Sequence, residues 1–197
     1  MNKVIAIFFL NKWKTLVFPT ICIFLYVIFT ITDLFTTYLS TPDLKNETNP
    51  IYQYFQWGWI GHSFYIFFII AITIACAIVS NNYVYNFFIN KKQNKKILFA
   101  ICFLLLVYCY HNLIATFECS ISNYLGYRYT YIKSENIIQI IAVNYVKFYL
   151  NFNENFGENA YVYFITILES IIAVLITVSQ TVRVKKYVQS TFPSRNN

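Results

Sequence analysis

The sequence is poor in charge. Only 12% of its 197 residues are Asp, Glu, Lys or Arg, about half the share usual in soluble domains. Acids are the scarcer sign, eight against fifteen basic residues. With 58% hydrophobic residues, a soluble core of this size could not hide the apolar surface, so lipid is the expected solvent. No Cys-x-x-Cys pair occurs among the five cysteines, which excludes zinc-ribbon and thioredoxin-type sites. Cys22, Cys76, Cys102 and Cys109 lie in apolar runs, where a thiol behaves as a small hydrophobe. Cys119 sits at an expected membrane boundary, and no disulfide framework emerges. No small-x-small cleavage site follows the first apolar run, which Lys12 and Lys14 interrupt, so a cleaved leader is not expected. His-Glu-x-x-His, Gly-x-Ser-x-Gly and histidine-box patterns are also missing.

What the chain has instead is long apolar runs, with 20 Phe and 18 Tyr. A transmembrane helix needs about 20 mainly apolar residues. Four stretches qualify, at residues 15–39, 59–82, 97–117 and 159–181, and residues 83–90 extend the second past the bilayer. Residues 1–14 read as an amphipathic cytoplasmic stretch anchored by Trp13 and its lysines. The four spans make a transmembrane domain over residues 15–182, followed by a basic tail at 183–197. Lys3, Lys12 and Lys14, then Lys91, Lys92, Lys95 and Lys96, then Arg183, Lys185, Lys186 and Arg195 all fall on one side. These are eleven of the fifteen basic residues, and the positive-inside rule makes that side cytoplasmic. The eight acids lie in spans or on the other side.

The expected fold is therefore all-α and integral to a membrane, most naturally a bacterial inner (plasma) membrane. It has four spans, both termini in the cytoplasm, and outer loops at 40–58 and 118–158. The net charge of +7 reads as topology, helped by anionic lipid, and not as nucleic-acid binding. Within the second outer loop, 137-IIQIIAVNYVKFYLNF-152 reads as an interfacial or re-entrant helix. Its candidate apolar face is Ile137, Ile140, Ile141, Val143 or Asn144, and Phe148. A fifth span is the competing reading, and it would put the basic C-terminus outside. Residues 153–159 form the turn into span four.

Ionisable groups inside spans are costly and often mark function. Counting along each helix puts Asp33, Glu47, His62, His111 and Glu118 in one layer under the outer headgroups, with Thr37 and Asn49 beside them. Glu169 falls nearer the midplane of span four. Carboxylates and imidazoles at one depth suit a metal, with zinc the leading ion for Asp33, Glu47, His62 and His111. They suit proton relay equally. A haem held by His62 and His111 is a further reading that their difference in depth disfavours. Against these stands plain structure: a boundary Asp caps or snorkels, and a His in a bundle fixes packing through a hydrogen bond.

The loop 46-NETNP-50 contains an Asn-x-Thr sequon, but the nearby Pro50 makes it a poor acceptor. Pro50 forces Asn49 toward extended geometry, and Trp57 and Trp59 form an interfacial belt before span two. Together, 33-DLFTTY-38, 47-ETNPI-51 and 57-WGWIG-61 resemble a family of small multi-pass membrane proteins of bacteria and archaea whose function is unknown. In that family Asp-x-x-Thr-Thr ends the first span and Glu-x-Asn-Pro follows in the loop. The matching positions are Asp33, Thr36, Thr37, Glu47, Asn49 and Pro50, and the likeness covers residues 15–80. It implies a shared architecture and a shared polar site, not a reaction. The family often carries a lysine in span two. Here none occurs between Lys45 and Lys91, which leaves His62 as the partner for Asp33. In outline alone, the chain also resembles the immunity proteins that protect bacteria from pore-forming colicins.

Three functions follow as expectations: an outer-face site for a metal ion, proton or lipid headgroup; a non-catalytic interaction protein; or an accessory subunit of a membrane complex. The bilayer is the common partner, with a protein partner or homo-oligomer compatible with all three. If the polar layer is a metal site, Asp33→Asn, Glu47→Gln and His111→Ala each lower the metal content of folded, purified protein, measured by elemental analysis. Parent protein that carries no metal rejects that version.

Overall fold

The computed structural model describes residues 3–44, 58–89, 95–132 and 136–192, with side chains from residue 17 onward. Among these residues the chain is all helix: α1 (Lys3–Ser40), α2 (Gly58–Ile89), α3 (Lys96–Tyr131), α4 (Ile137–Phe156) and α5 (Ala160–Thr191). Four segments are long and apolar enough to cross a membrane, namely Val17–Ser40, Gly58–Ile89, Lys96–Tyr131 and Ala160–Thr191. In lipid a backbone must satisfy its own polar groups, which is why unbroken helices are the outcome. Pro19 lies inside α1 and is buried, and the helix continues through it.

The four spans match the expected ones in place but not in length. α1 runs without a break from Lys3, so residues 3–14 continue the first helix. α3 does not stop near residue 117 but continues to Tyr131. The segment 118-ECSISNYLGYRYTY-131 has no proline and only Gly126, so nothing in it breaks a helix. At 36 residues, α3 is about 54 Å long, against a hydrocarbon core of about 30 Å. The expected helix in the second loop is present as α4, which is not one of the four segments suited to crossing.

Burial differs from that of a soluble protein, because polar side chains share the interior and large apolar ones cover the outside. The buried set includes Thr30, Thr36, Thr37, His62, Thr73, Ser80, Asn81, Ser120, Glu169, Thr177 and Gln180. The exposed set is Phe, Ile, Leu and Val in long stripes, such as Phe64, Phe67 and Phe68 on α2. On α5 the buried residues Tyr161, Glu169, Ala173, Thr177, Gln180, Val184 and Val188 recur every three, four or eight positions, which is one narrow helical face. Such a pattern belongs in a bilayer, where outward apolar side chains meet lipid and inward small and polar ones let helices approach.

The chain divides into two compact units. The first comprises Met1–Leu25, Ala71–Leu113 and Ser170–Asn197. Its interior holds Cys102, Leu106, Cys109 and Tyr110 of α3 against Val84 and Tyr85 of α2 and Val184 and Val188 of α5. Asn112 Nδ2 donates to Thr73 Oγ1 at 3.5 Å, and Cys109 Sγ to the Thr73 carbonyl at 3.5 Å. The second comprises Tyr26–Ile70 and Ile114–Glu169. There Ser120 Oγ of α3 donates to the Phe29 carbonyl of α1 at 2.9 Å, and the Phe29 and Phe117 rings meet at 4.8 Å, tilted by 47°.

Within the second unit, α4 is capped at both ends. Asn136 accepts from the Gln139 amide at 2.9 Å, an N-cap of the usual kind. The Arg128 guanidinium of α3 donates to the same Asn136 oxygen at 3.2 Å, tying the end of α3 to the start of α4. Gly157 closes α4 with φ 106° and ψ 164°, a conformation essentially reserved for glycine. The inward face of α4 is Gln139, Ala142, Val143, Tyr145, Val146 and Tyr149, not the isoleucines. Ile137, Ile140, Ile141 and Phe148, the apolar face expected from sequence, point outward and are exposed. Ala142 is 0% exposed. Ala142→Leu is expected to destabilise by about 1–3 kcal/mol through overpacking, while Ile140→Ala changes little. Thermal unfolding of detergent-solubilised protein measures both.

Candidate functional site

The Asp-x-x-Thr-Thr segment is a clamp between α1 and α3. Asp33 and Thr37 stand four residues apart, one turn up the same face of α1. Asn123 Nδ2 donates to Asp33 Oδ1 at 2.9 Å and to Thr37 Oγ1 at 3.1 Å. Ser40 Oγ donates to the backbone carbonyl of Asn123 at 3.3 Å, so Asn123 is held through its main chain as well as its side chain. Thr36 instead turns back onto its own helix and donates to the Asp33 carbonyl at 3.0 Å. The end of α1 is fixed to the start of α2 as well. Trp59 Nε1 donates to the Pro42 carbonyl at 2.6 Å, and the Trp59 ring meets Tyr38 edge-on at 5.2 Å.

A second polar cluster lies in the same unit and draws on three helices. Glu118 of α3 is the centre. Tyr145 of α4 donates its hydroxyl to Glu118 Oε1 at 3.4 Å, and Tyr161 of α5 does so at 3.5 Å. The two hydroxyls are 3.4 Å apart, which makes a nearly equilateral triangle of oxygens. Glu169, two turns along α5 from Tyr161, is 7% exposed and close enough to feel the charge of Glu118. Rings seal the cluster on one side: Tyr161 is met edge-on by Tyr149 at 5.1 Å and by Phe152 at 6.1 Å. Its amide donates to Asn153 Oδ1 at 2.9 Å across the tight α4–α5 turn. Burial pushes the Tyr145 phenol above its ordinary value, and the bond with Tyr161 and the charge of Glu118 add to this. Tyr145 therefore remains a protonated donor.

The expected single layer resolves into separate places. Asp33 and Thr37 meet through Asn123, and Glu118 and Glu169 lie around the tyrosines. His62 is buried, with its ring edge-on to Trp59 at 5.6 Å. His111 belongs to the first unit, and its Nδ1 has no hydrogen-bond partner among the described residues. Glu47 and Asn49 fall outside the described residues. Among those residues no group of three or more His, Cys, Asp and Glu side chains is placed to hold a metal ion. Glu118, expected to end a span at the surface, sits inside α3 instead, because the helix continues beyond it.

Asn123, Tyr145 and Tyr161 are the site residues that sequence reasoning missed. Asn123 falls in the expected outer loop, and Tyr145 in the helix expected within that loop, where neither was singled out. A signal was present: Thr116, Ser120 and Asn123 repeat at four and three positions, a polar stripe that only a helix continued past Glu118 would create.

Four apolar helices with a polar seam define the chain as an integral membrane protein of the multi-pass type. Comparison with protein-family models, curated proteins and solved structures gave no match. The clamp makes a direct forecast. Hydrogen bonds between membrane helices average about 0.6 kcal/mol, with about 1.7 as the upper end. Asn123→Ala, which removes two of them, is expected to lower stability by about 1–3 kcal/mol, and Thr37→Val by less. Denaturant titration in mixed micelles checks this, and a double-mutant cycle with Asp33→Asn isolates the coupling.

Proposed function

We propose that this is a multi-pass protein of a bacterial cytoplasmic membrane, with both termini in the cytosol, that binds a small hard cation or a proton at Glu118, Tyr145, Tyr161 and Glu169. The orientation rests on the eleven basic residues gathered on one side. The outward isoleucines of α4 support its lying in the outer interface with that face in lipid. The resemblance around Asp33 and Pro50 to small multi-pass membrane proteins of bacteria and archaea supports the same reading. In this reading the Asp-x-x-Thr-Thr segment is the clamp that steadies α3 beside the site.

The observation that carries the proposal is the oxygen triangle, with edges of 3.4, 3.5 and 3.4 Å. Direct O–H···O bonds run shorter, at about 2.5–3.0 Å. Three oxygens at this wider spacing match one face of a coordination shell with oxygen–cation distances of about 2.4 Å, the range of a calcium-sized ion. Two carboxylates whose charges act on each other in a low-dielectric interior favour uptake of a proton or cation. The donors are all oxygen, which favours a hard cation over zinc.

Infrared difference spectroscopy of the protein in lipid nanodiscs tests this. Sodium or calcium added at fixed pH, or a pH step without metal, is expected to shift carboxyl bands in the parent. Glu118→Gln and Glu169→Gln each remove part of the signal. A response to metal identifies a metal site, and a response to pH alone a proton site. Parent spectra unmoved by both overturn the proposal.

A further inference from the structure

A groove of about 310 Å3 lies in the first unit, between α1 and α5. Its walls are apolar: Phe18 of α1, with Ile172, Leu175 and Ile176 of α5. Leu175 is 63% exposed, so the groove opens on the surface that meets lipid. One end is polar, lined by Ser179, Gln180 and Arg183. The volume is at the lower end of the roughly 300–1,000 Å3 of small-molecule sites.

The order of these residues along α5 sets the chemistry. Ile172, Ile176, Ser179 and Arg183 repeat at four, three and four positions, one continuous stripe on the helix. From Ile172 to Arg183 is about 16 Å along the axis, the length of a substantial part of an acyl chain. Lys186, three residues beyond Arg183 and exposed, continues the stripe. The groove thus runs from a hydrocarbon trough to a hydroxyl, a guanidinium and an ammonium. Guanidinium groups take phosphate oxygens in a fork. Among the described residues, no protein group is recorded as a hydrogen-bond or ion-pair partner of Arg183. We propose that this groove seats one anionic phospholipid, with an acyl chain against Phe18, Ile172 and Ile176 and its phosphate on Ser179 and Arg183. Charge complementarity selects the occupant. Every charged group at the polar end is a cation, beside the neutral Ser179 and Gln180, and the trough is too apolar for a free inorganic anion to fill it.

The full-length protein, reconstituted in nanodiscs of mixed phosphatidylglycerol and phosphatidylcholine and then released for native mass spectrometry, tests this. The parent is expected to retain one phosphatidylglycerol per chain. Arg183→Gln should reduce that retention about fivefold, the factor for one lost charge contact. Ser179→Phe fills the groove without changing charge and should reduce retention as much. Lys147→Gln removes an equal charge from α4 and should leave retention unchanged. Equal losses in Arg183→Gln and Lys147→Gln would show a general charge effect and overturn the site. So would full retention in Ser179→Phe, or displacement of the lipid by inorganic phosphate alone.

Discussion

A bilayer removes the force that holds soluble helices together. Lipid tails are as apolar as leucine, so burying a leucine between two membrane helices gains little. What remains is close packing and the refusal of polar groups to face hydrocarbon. The rest of this structure depends on that constraint. Serine, threonine, asparagine and glutamate line the helix contacts, and phenylalanine and isoleucine cover the outside. Ser120 against the Phe29 carbonyl and Asn123 against Asp33 act as fasteners because their alternative partner would be lipid.

The same constraint explains why the two polar clusters differ. The clamp at Asp33 is short-bonded and saturated: amide, carboxylate and hydroxyl each find a partner near 3 Å. The cluster at Glu118 is looser and carries two acids. A site that fastens helices has no reason to hold its oxygens apart, and the wider spacing at Glu118 fits the cation or proton site proposed for it. Proximity in sequence does not predict which is which, since Glu118 and Asn123 are five residues apart on one helix.

Much of the fold was legible in the sequence. Run length and hydropathy located four spans, and residues 137–152 were read as a helix distinct from them. The ends were harder, and the reason is visible in α3. Hydropathy falls at Glu118, but helicity does not follow hydropathy where no proline or glycine cluster intervenes, so the helix continued to Tyr131. That one boundary hid Asn123 from the reading and made Glu118 look like a surface residue. The apolar face expected on α4 is present, and its direction is set by lipid. In water its isoleucines would point to the core, but beside lipid the small Ala142 points in and the isoleucines point out. Of the candidate residues, Asp33 and Thr37 were expected in one polar layer with His62 as the partner of Asp33, and in the structure both meet the amide of Asn123. Their true partner was an asparagine that no charge or motif announced.

The turn between α4 and α5 has a mechanical meaning. Gly157, Glu158 and Asn159 are all that separate the two helices, and Asn153 is bonded across the turn to the amide of Tyr161. Tyr145 and Tyr161 are thus two points on a short-armed hinge whose pivot is one glycine with φ 106°. Rotation at that pivot displaces Tyr145, twelve residues away, more than Tyr161, four residues away, and so changes the distance between their hydroxyls. Residue 157, though it touches neither carboxylate, sets the width of the gap above Glu118.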